Sequence, residues 1–142
     1  MQLSNQLYHK KILGNTDAGM DSSTVAGDAI DVVAVGTFDR ARLIIELGAV
    51  TSTANIAAGL QECDTAAGTY SVIANLGDDG LVATDQSDTT IILDVPLTKR
   101  YLQYTYKRTV ANIEFDSLTV QLYSSGKIPV AQSATVWKEI VK

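Results

Sequence analysis

The sequence contains one cysteine, Cys63, and one histidine, His9, in 142 residues. A single cysteine excludes an internal disulfide framework, so the fold must be stabilised by packing or by association. A single histidine excludes a metal site or catalytic dyad that uses two imidazoles. We therefore expect Cys63 to be a buried structural thiol and His9 to be an exposed residue.

Motifs for catalysis and cofactor binding are also missing. The chain contains no G-x-x-x-x-G-K-[ST] phosphate loop, no G-x-G-x-x-G after a strand and no G-x-S-x-G. The aspartates of residues 77–88 lack the alternating spacing and closing glutamate of a calcium loop, and aspartate is a common turn residue. We expect no enzymatic activity, no cofactor and no bound metal.

Long hydrophobic runs are absent from the sequence. No stretch approaches the roughly 20 apolar residues that span a bilayer. Lys10 and Lys11 are followed by only three residues before the chain turns polar, so the apolar run of a signal peptide is missing. We expect a protein that is soluble where it is made and that has no membrane partner.

The composition favours short strands. Aromatic residues make up 6% of the chain and charged residues 19%, while alanine, threonine, serine, valine and glycine are abundant. Such small and β-branched residues suit strands and tight turns better than helices. The length corresponds to one domain with an ordinary hydrophobic core.

The charges are segregated along the chain, which has a net charge of −5. Residues 17–94 contain thirteen acidic residues against two arginines, whereas residues 95–142 contain seven basic residues against three acidic ones. This polarity can orient the association with a partner. A solvated acidic face is the alternative interpretation.

Period-two alternation predicts the strands. The clearest case is residues 40–50, where an apolar face of Ala41, Leu43, Ile45, Leu47 and Ala49 opposes a polar face. Further strands are predicted at residues 29–36, 56–63, 69–77, 89–96, 101–106 and 114–124, with 56–63 and 69–77 forming a hairpin. Short strands at this spacing predict an all-β fold, an antiparallel and jelly-roll-like β-sandwich of about seven or eight strands over residues 21–126.

Two arms are predicted to extend from the sandwich. Residues 1–20 contain scattered apolar residues without a clear period, so we expect them to be ordered only where they dock on another surface. Residues 127–142 contain the one tryptophan of the chain, Trp137. Their spacing is compatible with a short helix or an extended strand, which either folds back on the core or docks on a neighbour.

The strand at residues 101–106 contains three of the six tyrosines and has a basic pair at each end. Tyrosine and arginine are enriched at the centre of protein interfaces, whereas the acidic segment opposes nucleic-acid binding. We therefore predict a protein interface and no nucleic-acid partner. The predicted interface residues are Lys99, Arg100, Tyr101, Tyr104, Tyr106, Lys107, Arg108 and Trp137.

The succession LIIELGAVTSTANIAAGLQECDTAAGTYSVIANLG, TTIILDVPL and KRYLQYTY resembles the small β-sandwich cement or decoration proteins on the heads of tailed bacteriophages. The likeness covers roughly residues 22–126 and is most specific in the hairpin LQECDTAAGTYSVI and the KRYL strand. It implies a jelly-roll-like domain that forms a homotrimer and clamps neighbouring major capsid subunits on the exterior of the virion.

Two other functions remain open at the level of sequence. A carbohydrate-binding β-sandwich shares the hairpin pattern, although such modules usually expose several aromatic side chains for stacking on sugars. A component of a phage tail or baseplate is the third interpretation.

Overall fold

Two β-sheets and one helical turn make up the part of the chain that the structure, a computed structural model, describes, namely residues 7–14, 16–81, 86–124 and 136–141. In chain order the elements are β1 (Leu7–Leu13), β2 (Thr16–Gly19), β3 (Val25–Ala26), β4 (Ile30–Asp31), α1 (Val32–Val35), β5 (Arg40–Val50), β6 (Asn55–Cys63), β7 (Ser71–Gly80), β8 (Thr90–Pro96), β9 (Tyr101–Thr109), β10 (Ile113–Tyr123) and β11 (Val136–Val141).

The first sheet has the strand order β1, β10, β5, β8, β11, and β2 also pairs with β10. The second sheet has the order β3, β9, β6, β7, and β4 also pairs with β9. Within the described residues the ladders are antiparallel, apart from the parallel pairing of β11 with β8. This architecture confirms the predicted all-β sandwich.

The strand count exceeds the predicted seven or eight because residues assigned to the arms and to the lead-in also pair. In β1, His9 lies opposite Gln121 and Lys11 opposite Thr119 of β10. In β11, Lys138 lies opposite Ile91 of β8. Parts of both predicted arms are therefore edge strands of the first sheet. Residues 1–6 and 125–135 lie outside the described residues.

The core lies between the sheets and follows the alternation in β5. Ala41, Leu43, Ile45 and Leu47 are at most 1% exposed. The predicted inward position of Ala49 is wrong, because the register against β10 shifts at this point, and Val50 takes the buried position instead. The shift is a β-bulge, which adds one residue and reverses the faces beyond it.

The strand predicted at residues 29–36 is confirmed at Ile30–Asp31, which form β4, and is wrong beyond Asp31. The chain turns into α1 after Asp31, whose Oδ1 atom accepts a hydrogen bond from the backbone N–H of Ala34 at 3.2 Å. An aspartate that caps a helical turn offers the backbone an alternative to the sheet ladder. Gly36 ends the turn at a φ of 154°, and an added Cβ there would lie 2.6 Å from the Phe38 ring.

The hairpin predicted from residues 56–63 and 69–77 is confirmed as β6 and β7, which pair antiparallel from Asn55 opposite Gly80 to Glu62 opposite Ser71. Strand β6 also pairs with β9 along its whole length. The tyrosine strand therefore lies inside the second sheet, between β6 and the short strands β3 and β4.

Candidate protein-interaction surfaces

The predicted interface residues lie on β9, at its two ends and, for Trp137, on β11. Along β9 the side chains of Leu102, Tyr104 and Tyr106 are buried, whereas those of Tyr101 and Gln103 are half-buried. This alternation divides the predicted residues into a core-facing set and a solvent-facing set. Trp137 lies in a strand rather than a helix, and its side chain lies outside the described part of the chain.

Tyr104 and Tyr106 belong to the core-facing set. They are 8% and 9% exposed, and their rings stack at a centroid distance of 6.4 Å. Tyr106 also meets the Phe115 ring edge-on at 5.2 Å, and burial raises the pKa of both phenols above the ordinary value of 10.0. Their aromatic surface is used inside the domain, so a partner cannot reach most of it in this conformation.

Gly27 explains how a ring as large as that of Tyr104 fits at the edge of the second sheet. The backbone N–H of Gly27 donates to the carbonyl of Tyr104 at 3.0 Å, so the two backbones are adjacent. An added Cβ at Gly27 would lie 1.9 Å from the Tyr104 ring. Only a residue without a side chain leaves room for the ring at this position.

Arg108 forms a largely buried ion pair with Asp21. Its Nε and Nη2 atoms donate to the two carboxylate oxygens at 2.9 and 3.0 Å, and its Nη1 atom donates to the Ile113 carbonyl at 3.0 Å. The guanidinium carbon also lies 5.1 Å from the Phe115 ring centroid. Burial alone would raise the pKa of Asp21, but the hydrogen bonds and charge of Arg108 hold it below its usual 3.8. Arg108 therefore links Asp21 and Ile113 to the end of β9 and contributes to the stability of the fold.

Beside this ion pair lies an open hollow of about 430 Å³, which we call the end hollow. Its lining residues are Met20, Asp21, Ser22, Lys107, Thr109 and Val110. Met20 and Val110 are 56% and 65% exposed, which is unusual for large apolar side chains that lie together. Lys107 supplies a cation at the rim, whereas the charge of Asp21 is already paired with Arg108.

A second group of residues on the solvent side lies at the opposite end of β9 from the end hollow. It consists of Lys99, Arg100 and Tyr101, and we call it the basic corner. Arg100 donates to both carboxylate oxygens of Asp31 at 3.0 and 2.8 Å, and its guanidinium carbon lies 5.3 Å from the Tyr101 ring centroid. Lys99 lies 3.7 Å from Asp64. The Arg100 side chain is nevertheless 51% exposed, so an arginine and a tyrosine are presented together to solvent.

The Glu62 carboxylate forms hydrogen bonds to the loop that contains the basic corner. This residue is 3% exposed, and its carboxylate accepts hydrogen bonds from the backbone N–H groups of Thr98 and Lys99 at 3.0 and 3.1 Å. The Thr98 hydroxyl donates to the same carboxylate. A buried carboxylate with three donors fixes the loop conformation. The basic corner is therefore rigid before any partner binds.

The sequence analysis missed a cluster on the first sheet around Asp94. Its carboxylate is fully buried and accepts hydrogen bonds from Arg40, Arg42 and the Tyr123 hydroxyl at 3.0, 2.9 and 2.5 Å. Burial raises the pKa of Tyr123, and Asp94 adds to the effect. The signal that could have found the cluster is an aspartate inside the apolar run IILDVPL, which requires a buried partner.

The described residues contain no group of three or more histidine, cysteine, aspartate or glutamate side chains that could hold a metal ion. Cys63 is buried, with its Sγ atom 4.0 Å from the Thr65 hydroxyl. Among the described residues, no helix combines the length and the hydrophobicity needed to span a bilayer.

Comparisons with known proteins give no sequence relative and a weak structural likeness. No protein-family model matches the sequence, and no curated protein matches it. The structure is similar to that of the Eiger TNF from S. frugiperda, with a TM-score of 0.44 and 12% sequence identity over 90% of this chain and 99% of the other. At this TM-score the likeness supports no inference about function.

Proposed function

We propose that this protein is a non-enzymatic structural protein of a virion, a cement or decoration protein on the exterior of a bacteriophage head. In this proposal it forms a homotrimer and binds the major capsid protein, with no nucleic-acid or membrane partner. The proposal starts from the sequence resemblance over residues 22–126. The two-sheet sandwich supports it because a rigid domain is what such a role requires.

The observation that carries the proposal is the position of the two solvent-facing groups at opposite ends of one strand. The basic corner begins at Tyr101 and the end hollow is reached at Thr109. Eight residue steps at about 3.3 Å each separate them by roughly 26 Å. A rigid body with two contact surfaces this far apart is suited to bridging two neighbouring subunits.

Such a protein would act by mass action. A protein that binds only the assembled shell stabilises that shell by an amount set by its affinity and occupancy. Many identical contacts around a symmetric shell add together, although each contact is modest. No chemical step is needed, and the rigid loop above Glu62 limits the conformational entropy lost on binding.

Carbohydrate binding is the less favoured alternative. Stacking on sugars requires exposed aromatic faces, and two of the three tyrosines of β9 are turned into the core. Within the described part of β9, Tyr101 is the aromatic residue that stays on the solvent side. A location in the tail or baseplate is the remaining alternative, and imaging distinguishes it from the head.

The test uses purified protein and shells that lack it. We expect the shells to recruit the protein to regular positions seen by electron microscopy, and to open at a higher temperature as occupancy rises. Light scattering of the free protein should give the mass of a trimer at tens of micromolar. Shells that neither recruit the protein nor gain heat resistance would overturn the proposal, and density on the tail would replace the head location.

A further inference from the structure

Val110 adopts a backbone conformation that its side chain disfavours. Its φ is +70°, and the backbone N–H of Ala111 donates to the Thr109 carbonyl at 2.8 Å. A bond between residues two apart around a positive φ is the rare and strained form of the γ-turn. For a β-branched residue a positive φ is a genuine outlier, which glycine would relieve.

The strain at Val110 is not compensated by packing of its side chain. The residue is 65% exposed, so the valine contributes little to the core. Strained backbone conformations cluster at functional sites. A strained residue that destabilises the fold is therefore a candidate for a functional role. Val110 lines the end hollow, and so does Met20, whose side chain is also exposed.

We infer that the end hollow is a docking site for a protein segment that presents an apolar side chain next to a carboxylate. Val110 and Met20 would contact the apolar side chain, and Lys107 at the rim would pair with the carboxylate. The inference rests on the proposed function for the identity of the partner, which is the major capsid protein. The existence of the site rests on the hollow itself.

The charge of the hollow selects the chemistry of the partner. Asp21 and Arg108 neutralise one another through two hydrogen bonds, so Lys107 gives the rim its net charge. A cation beside exposed apolar surface favours a ligand that combines an apolar body with an anionic group. A basic segment would meet like charge at Lys107.

The walls of the hollow are preorganised. The backbone N–H of Asp21 donates to the Arg108 carbonyl at 2.8 Å, and the backbone N–H of Arg108 donates to the Asp21 carboxylate at 2.8 Å. These bonds hold the segment with Met20 against the end of β9. A preformed hollow loses little conformational freedom when a ligand enters it.

The first experiment uses the free protein and 8-anilinonaphthalene-1-sulfonate, a probe with an apolar body and one anionic group. We expect the native protein to bind the probe with increased fluorescence. Val110→Asn should weaken binding about tenfold, because it removes one apolar contact surface. Val110→Gly should raise the unfolding temperature, since glycine tolerates the positive φ of the γ-turn. Lys107→Gln should weaken binding by a smaller factor.

The matched control is Val72→Asn, since Val72 is 63% exposed on β7 and lies away from the hollow. It should leave probe binding unchanged. A second variant, Met20→Ser, should weaken binding as Val110→Asn does. Native protein that binds no probe, or a Val110→Asn variant that binds it as tightly as the Val72→Asn control, would overturn the inference.

The second experiment measures recruitment of the same variants to shells that lack the protein. We expect Val110→Asn and Lys107→Gln to dissociate faster than Val72→Asn. Shells that hold all variants equally would overturn the assignment of the capsid as the partner. Shells that recruit no variant, including the wild type, would overturn the proposed function, and the probe titration would then decide the docking site independently.

Discussion

The guanidinium of Arg108 and the carboxylate of Asp21 form a two-bonded ion pair that joins the segment after β2 to the end of β9. The side chains are only 13% and 11% exposed. The sequence analysis predicted Arg108, together with Lys107, as part of a protein interface, and the structure places the Arg108 guanidinium in this buried pair. Because both charges are buried, removing either one leaves the other without its partner.

Replacing Arg108 by Ala should lower the free energy of unfolding by about 2–3 kcal/mol, because it leaves the Asp21 carboxylate buried without its partner. Urea denaturation measures the change. Arg100→Ala is the control, since the Arg100 side chain is 51% exposed and an exposed ion pair contributes little to stability. Equal losses for both variants would contradict the structural role of Arg108.

Protonation of the Asp21 carboxylate should destabilise the protein in acid. The pKa of this carboxyl is below 3.8 in the folded protein, so the folded state favours the charged form. Its contribution is fully present above the unfolded pKa of 3.8 and is lost as the pH falls through the lower, folded pKa. Asp21→Asn should remove that part of the pH dependence of unfolding. An unchanged acid profile in this variant would show that Asp21 is not the group responsible.

Gly27→Ala should destabilise the protein by about 1–3 kcal/mol, because the added methyl group overlaps the Tyr104 ring and forces it out of place. Thermal unfolding detects the loss. Gly77→Ala is the matched control, since no atom lies within 4 Å of a Cβ added at that position. If both variants unfold at the same temperature, the packing of Tyr104 against Gly27 is not as described.

Glu62→Gln should lower the free energy of unfolding by about 1–3 kcal/mol, because one carboxylate oxygen becomes an NH2 group, which cannot accept a hydrogen bond from Thr98 or Lys99. It should also slow recruitment to shells by loosening the basic corner. Glu46→Gln, at an exposed carboxylate on β5, is the control for stability. Faster hydrogen exchange at Thr98 and Lys99 would locate the effect, and unchanged exchange would exclude it.

The sequence was sufficient for the sandwich because period-two alternation is a local signal. The apolar face of β5 and the pairing of β6 with β7 follow from neighbouring residues. The bulge beyond Leu47 could not be predicted, because a register shift depends on β10, which lies far away in the chain. The pairing of β1 with β10 was missed for the same reason.

The orientation of the tyrosine side chains could not be predicted from local sequence either. Alternation placed Tyr101 on one face of β9 and Tyr104 and Tyr106 on the other, but it could not say which face is buried. The space for the Tyr104 ring depends on Gly27, which lies 77 residues away in the sequence. The buried face of β9 therefore cannot be identified from the sequence of β9 alone. A tyrosine next to basic residues is therefore ambiguous until its packing partner is known.

The pairing of β1 with β10 also governs when the protein can complete its fold during synthesis. The Gln121 amide lies 3.1 Å from the His9 ring nitrogen, and the two residues are 112 positions apart. At about 5–20 residues per second, β1 is synthesised roughly 6–22 s before its partner. Until then the first sheet has no β10 to join β1 to β5, so its closure is a late and non-local step, of the kind that slows β-proteins.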